Sequence, residues 1–139
     1  KQTADLCTST IAQALVAEYC RNGHLDKHIP VIIDNYRVKR DAMQESFKRH
    51  LEPLGVSWVK PEGGFFYWLN FPQINTKDLF KKAIEKKVAF VIGEPFCTKP
   101  GSGIHNARLC YTFPSPEVTE EGVKRLAEAV QELAQIATV

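Results

Sequence analysis

Apolar positions along the chain recur with two different periods. Through residues 8–21 and 25–51 they recur every three to four positions, which places them on one face of a helix. The first segment therefore predicts a helix with an apolar face formed by Ile11, Ala12, Leu15, Val16 and Tyr19. In the second, Pro30 is expected in the first turn, where its missing N–H costs little. The apolar stripe of this longer helix comprises Ile29, Ile32, Ile33, Tyr36, Met43, Phe47 and Leu51.

Beyond residue 55 the pattern becomes that of short strands. Residues 56–59 and 65–69 flank a turn that contains Gly63 and Gly64, so they predict a hairpin. The other predicted elements are a helix capped by Thr76 that runs to about residue 87, strands over 88–92 and 107–113, and a final helix from Ser115. The inward side chains of these two helices are Leu79, Phe80, Ala83 and Ile84, and then Val123, Leu126, Ala127, Val130, Leu133 and Ala137. This order predicts an α/β (α+β) fold with a small, mostly antiparallel sheet that is packed with helices and preceded by two helices.

The strand over residues 65–69 has apolar side chains on both of its faces. Phe65, Tyr67 and Leu69 lie on one face, and Phe66 and Trp68 on the other. Two apolar faces should both be covered. Either this is a central strand covered on both faces within one domain, or its second face meets a missing domain or lines a ligand pocket.

Composition and charge exclude several classes of function. The chain has 139 residues, of which 44% are hydrophobic and 24% charged, values that fit one globular domain with a sizeable core. The formal net charge of +2 is too balanced for nucleic acid or an anionic membrane to be the main partner. No apolar run approaches the ~20 residues that span a bilayer, and no signal peptide is recognised.

Arg108 is the first candidate for chemistry. It shares one face of the strand over 107–113 with Cys110 and Thr112, whose side chains are small and mildly polar. A guanidinium at the entry of such a strand can bind a carboxylate through two parallel N–H···O bonds. The alternative is an ordinary arginine on a solvated sheet face.

Cysteines and histidines predict no metal centre and no disulfide framework. The four cysteines form no C-x-x-C pair and are interpreted as reduced core thiols of a cytosolic protein: Cys7, Cys20, Cys97 and Cys110. Zinc needs three or four converging ligands. His24 and His28 are four residues apart, but nothing in the sequence completes such a set.

Four motifs occur in order and with compatible spacing. Residues 61–68 are similar to a P-x-G-G-x-F-x-W hairpin, and residues 106–109 to an N-x-x-R-L or N-x-R-L strand. Residues 115–126 are similar to a P-E-x-x-E-E-G-x-x-R-L helix, and parts of residues 8–43 to a pair of interdomain helices. By these motifs the chain resembles the C-terminal, smaller domain of fold-type I, class I/II aminotransferases that use pyridoxal 5'-phosphate (PLP). The 2-aminoadipate, kynurenine and aromatic aminotransferases are the members that it resembles most.

The resemblance implies roles for individual residues. Arg108 matches the strand arginine that binds the substrate α-carboxylate, and Phe66 matches an aromatic residue near the substrate side chain. The full-length parent would be a cytoplasmic, homodimeric transferase of amino acid metabolism that exchanges an amino group between an amino acid and a 2-oxo acid. Residues 1–139 would form its small domain, in which 1–52 are two helices that link to a missing large domain and 53–139 an α/β sandwich.

Other parts of the family's pattern have no counterpart here. The lysine that forms the Schiff base, in an S-x-S-K type segment, is absent, as are the cofactor's aspartate and phosphate ligands. No catalytic, cofactor-binding or metal-binding residue is therefore assigned, and the fragment is expected to be inactive and to bind no PLP. Ile92 also stands before Gly93 where the family often has proline, which leaves the path of the following loop open.

Two other functions fit the same residues. The chain could be the effector domain of an aminotransferase-like transcription regulator, which would sense a ligand rather than catalyse. It could also be a stand-alone α/β binding module without an enzyme parent. The sequence upstream of this chain would discriminate among the three.

Overall fold

The computed structural model describes residue 3 and residues 7–136. Two units divide the chain, Lys1–Asn35 and Tyr36–Val139. The helices and strands, in chain order, are α1 (Thr10–Arg21), α2 (His24–His50), β1 (Ser57–Val59), β2 (Phe66–Asn70), α3 (Thr76–Glu85), β3 (Val91–Ile92), β4 (Asn106–Cys110) and α4 (Pro116–Ile136). Short 3₁₀ turns occur at Glu52–Leu54 and Glu94–Phe96. None of the described helices is long and apolar enough to cross a membrane.

The first unit contains α1, whose existence is predicted correctly. The Ser9 hydroxyl accepts a hydrogen bond from the Ala12 N–H at 3.4 Å, which caps the first turn. Gly23, at φ +68°, supplies the left-handed residue that separates α1 from α2. The apolar face of α1 is exposed, and no residue of this helix is buried.

The longer helix α2 differs from its prediction in two respects. Because α2 begins at His24, Pro30 is its seventh residue and lies in the second turn, so its placement in the first turn is wrong. Because proline has no backbone N–H, the carbonyl four residues earlier does not receive the usual helical hydrogen bond from this position. Of the predicted stripe, Met43 and Phe47 are buried, whereas Ile29 and Ile33 are exposed. Only the second half of the helix belongs to the unit that contains the sheet.

The sheet is antiparallel throughout the described residues, with strand order β1-β2-β4-β3. The predicted hairpin of β1 and β2 and the α/β class are confirmed. Strand β3 is shorter than predicted, because Lys87 at φ +62° ends α3 and the Val88 N–H donates to the Ala83 carbonyl at 2.8 Å. The chain therefore joins the sheet only at Val91.

One hydrophobic core lies between the sheet and the helices of the second unit. Its buried side chains include Met43, Phe47, Tyr67, Leu69, Leu79, Ala83, Ala107, Leu109, Val123, Leu126 and Val130. The stripe of α4 is thus confirmed, except for Ala137, which lies outside the described residues. On α3, Ile84 is exposed rather than inward. The cap of α3 is Asn75, which accepts from the Lys77 N–H, while the Thr76 hydroxyl instead donates to the Ile104 carbonyl at 3.0 Å.

The opposite face of β2 is open. Phe66 is 40% exposed and Trp68 is half-buried, so the described residues do not cover this face. The interpretation that β2 is covered on both faces within one domain is therefore wrong. The prediction of core cysteines is also wrong, since Cys97 is half-buried and the other three thiols are exposed. Cys110 lies on the open face of the sheet, and Cys20 lies in α1, which has no buried residue.

Candidate functional site

Arg108 lies on the open face of the sheet, in the central strand β4. It stands directly opposite Trp68 of β2, and Phe66 stands opposite Cys110. Because side chains alternate along a strand, these four residues share one face. The guanidinium carbon of Arg108 is 4.0 Å from the centroid of the Phe66 ring. Both residues are candidates from the sequence, and they are in contact in the structure.

The Arg108 guanidinium has no acceptor among the described residues. Its Nε is buried and forms no hydrogen bond. None of the described carboxylates forms an ion pair with it. An unpaired buried donor costs about 1–3 kcal/mol, and the contact with the ring offsets part of that cost. The site is thus a half-buried cation without a carboxylate partner among the described residues.

A second ring flanks the same guanidinium and is not predicted from the sequence. The Phe96 centroid is 4.7 Å from the guanidinium carbon of Arg108, and the ring packs edge-on against Trp68 at 5.8 Å. Phe96 belongs to the 3₁₀ turn Glu94–Phe96, in the loop whose path the sequence leaves open. The sequence signal for it is the segment Gly93–Phe96, where an aromatic follows the glycine as in the resembled family, but with Ile92 where that family often has proline.

Two glycines hold the loop of Phe96 against the start of β4. The Gly93 N–H donates to the Asn106 carbonyl at 2.7 Å. A Cβ at Gly93 would lie 2.7 Å from the Asn106 Cβ, and one at Gly103 would lie 3.0 Å from the Gly93 carbonyl carbon. Only glycine allows so close an approach at both positions. An ion pair between Lys77 and Glu94 links the same turn to α3.

Hydrogen bonds set the position of Phe66 from the hairpin side. The Tyr111 hydroxyl donates to the carbonyl of Gly64, and the Tyr111 N–H donates to the carbonyl of Phe65 at 3.2 Å. On the covered face, the Tyr67 hydroxyl donates to the Arg40 carbonyl at 2.9 Å, and burial raises the pKa of Tyr67 to about 12. Asn106 donates through Nδ2 to the Leu69 carbonyl at 3.2 Å, which joins β4 to β2 two residues before Arg108.

The remaining candidates do not converge on a site. No group of three or more metal-ligating side chains occurs in the described part of the chain. A groove lies on the helix side, between the 72–78 segment and the end of α4. Its lining includes neither Arg108 nor Phe66. The open face of β2 and β4 is therefore the candidate site.

The chain is similar to aminotransferases over most of its length. The family model for aminotransferases of class I and II matches residues 1–130. The chain belongs to this family. This aminotransferase-family chain is 45% identical over 95% of its length to aromatic-amino-acid aminotransferase 1 of Thermococcus litoralis, of which it covers 31%.

A solved structure and a regulator extend the comparison. The multiple substrate aminotransferase of Thermococcus profundus matches 96% of the chain with a TM-score of 0.88 and 43% identity, and the match covers 33% of that structure. An uncharacterized HTH-type transcriptional regulator of Bacillus subtilis is 30% identical over 96% of the chain, which covers 27% of the regulator. The chain thus spans about a third of the length of the curated relatives it matches.

Proposed function

We propose that this chain is the C-terminal, smaller domain of a PLP-dependent aminotransferase, and that Arg108 binds the α-carboxylate of its substrates. The observation that carries the proposal is the Arg108 guanidinium, which is flanked by Phe66 and Phe96 and has no acceptor among the described residues. The parent would transfer an amino group between an amino acid and a 2-oxo acid. Both substrates have the carboxylate that such a guanidinium would bind.

The position of the guanidinium favours recognition through its terminal nitrogens. Nε is covered by protein, so an approaching carboxylate meets Nη1 and Nη2 first. Two parallel N–H···O bonds from these atoms fix the carboxylate in one plane. Because the flanking rings exclude water from part of the group, the charge interaction is stronger than it would be on an open surface. The substrate is thereby held in one orientation for the chemical step.

Phe66 has a second role in this proposal. Its ring contacts the guanidinium and remains 40% exposed, so part of its surface is free for a ligand. An apolar portion of a bound amino acid would pack on that exposed part. Phe66 then contacts the guanidinium and also forms the adjacent wall of the site.

The residues of the open face do not fit PLP itself. PLP supplies the electron sink for amino transfer when it is bound to an aminotransferase. On β2 and β4 this face carries phenyl, indole, amide, thiol and guanidinium groups, without a lysine amine or a carboxylate. The cofactor would therefore be held by another part of the parent. The fragment alone is expected to bind no PLP and to be inactive.

Substitution of Arg108 tests the proposal in the full-length parent. Arg108→Gln should lower kcat/KM for both the amino acid and the 2-oxo acid. The corresponding loss of transition-state stabilisation should be about 2–5 kcal/mol, which is the usual cost of truncating one partner of a buried charge pair. Arg108→Lys should lose less, because an ammonium keeps the charge but not the bidentate geometry. Steady-state kinetics with both substrates measure these effects. Unchanged kcat/KM in Arg108→Gln would refute the assignment.

A second candidate function is the effector domain of a transcription regulator. The similarity to the HTH-type regulator of Bacillus subtilis is the observation that favours it. In that case Arg108 would still bind a carboxylate ligand, without turnover. A helix-turn-helix segment upstream in the full-length protein, together with the absence of transaminase activity, would decide for the regulator.

A further inference from the structure

We infer that Phe96 is a positioning residue for Arg108, which orients the guanidinium for the carboxylate without contacting the reacting atoms. The inference rests on the proposed function of Arg108 as the carboxylate ligand. It starts from the contact itself, since the Phe96 ring is 4.7 Å from the guanidinium carbon, within the range of a cation–π interaction.

The surroundings of Phe96 show that packing into the core does not explain its place. Phe96 is 47% exposed and is not part of the hydrophobic core cluster. Its described ring contact is the edge-on pair with Trp68, which lies directly opposite Arg108 in the sheet. The ring thus bridges the guanidinium and the neighbouring strand, and about half of the residue stays exposed.

The backbone of the loop is specialised for this placement. A Cβ at Gly93 would clash with Asn106 and with the Gly103 carbonyl oxygen, and a Cβ at Gly103 would lie 3.0 Å from the Gly93 carbonyl group. The Lys77–Glu94 ion pair adds a tether from α3. These contacts hold the turn Glu94–Phe96 beside β4, and that turn holds the Phe96 ring near Arg108.

Two flanking rings change what the guanidinium can do. Arg108 has no hydrogen bond or ion pair with described residues that would fix its plane. Phe66 at 4.0 Å and Phe96 at 4.7 Å restrict it instead. A restricted guanidinium loses less rotamer freedom when it binds a carboxylate, so affinity rises by preorganisation. Loss of the Phe96 ring should therefore weaken carboxylate binding and leave the chemical step little changed.

A double-mutant cycle in the full-length parent tests this role. Phe96→Leu, which keeps an apolar side chain and removes the ring, should raise KM for both substrates about three- to thirtyfold, with a smaller change in kcat. Phe96→Tyr, which keeps the ring, should restore KM to within about twofold of wild type. In an Arg108→Gln background, Phe96→Leu should have no further effect on KM.

The control is Phe80→Leu, the same substitution in a ring that packs against Phe90 on the helix side of the second unit. It should leave KM unchanged, although it lowers the melting temperature. If Phe96→Leu does not fold, Phe96→Met serves the same purpose. An equal rise in KM in the Arg108→Gln background, or no rise at all, would overturn the positioning role. If Arg108→Gln itself leaves KM and kcat/KM unchanged, the proposed function fails as well, so the two failures are distinguishable.

Discussion

The two faces of the β2–β4 strand pair differ although their residues alternate along the same strands. Toward the helices, Tyr67, Leu69 and Ala107 are fully buried. On the other face, Phe66 is 40% exposed and Arg108 is half-buried with an unpaired Nε. A shift of one position therefore separates side chains that stabilise the fold from side chains that are available to a ligand. We expect substitutions on the two faces to affect different measurements.

The largest effect on stability is expected on the covered face. Leu69→Ala leaves a cavity at a fully buried position and should reduce the free energy of unfolding by about 2–5 kcal/mol. Phe66→Ala, three positions away on the open face, should reduce it by about 1–2 kcal/mol, because its ring is already partly solvated. Denaturant unfolding of the two variants measures both values. Equal losses would contradict the division of roles between the faces.

Gly93→Ala should have the next largest effect and should act on the open face. The added Cβ would lie 2.7 Å from the Asn106 Cβ and carbonyl oxygen, so the loop of Phe96 must move. Such overpacking costs about 1–3 kcal/mol, and in the full-length parent KM for carboxylate substrates should rise with it. Gly122→Ala is the control, because its Cβ meets nothing within 4 Å and alanine favours a helix by roughly 0.5–1 kcal/mol. Chemical denaturation should therefore show a lower free energy of unfolding in Gly93→Ala only, and KM should rise in that variant only.

The smallest effect concerns a carboxylate away from both faces. The Glu120 side chain lies between α4 and α2, where the Arg49 guanidinium, the Ser46 hydroxyl and the His50 ring lower its pKa to about 2, from an ordinary value of 4.5. A lowered pKa in the folded state means that this stabilisation is complete above about pH 5 and is lost as the pH falls from 4.5 toward 2. Because the side chain is 36% exposed, solvent screening limits its contribution to about 1 kcal/mol.

Unfolding measured at several pH values tests this linkage. Wild type should lose stability between pH 4.5 and 2 more steeply than Glu120→Gln, and the two should differ most near neutral pH. KM in the full-length parent should be the same for both proteins. Parallel stability curves over this pH range would rule out the assigned role of Glu120.

The element types are predictable from the sequence because they depend on local periodicity. The apolar stripe of α4 identifies a helix, and the short apolar, aromatic-rich run after the Gly63-Gly64 turn identifies β2 as a strand. The limits of β3 are not predictable, because residues 88–90 have strand-like side chains and only the pairing with β4 determines that the strand begins at Val91. The burial of a stripe is equally non-local, as the exposed face of α1 shows.

The candidate site is predictable only where a motif carries it. Arg108 and Phe66 follow from their motifs, and their mutual contact follows from the register of β2 with β4. Phe96 ends a segment that departs from the family's pattern at Ile92, so the sequence leaves the place of its ring open. Its position depends on the approach of Gly93 to Asn106, thirteen residues apart in sequence, and no periodicity encodes such a contact. Long-range backbone contacts of this kind are the part of the site that the sequence does not reveal.

The most direct test of the central claim is a structure of the full-length parent with a bound 2-oxo acid. The account predicts that both carboxylate oxygens of the ligand lie about 2.7–2.9 Å from the terminal nitrogens of Arg108, with the Phe66 and Phe96 rings still against the guanidinium. A ligand whose carboxylate is bound by another cation, while Arg108 remains without an acceptor, would contradict it.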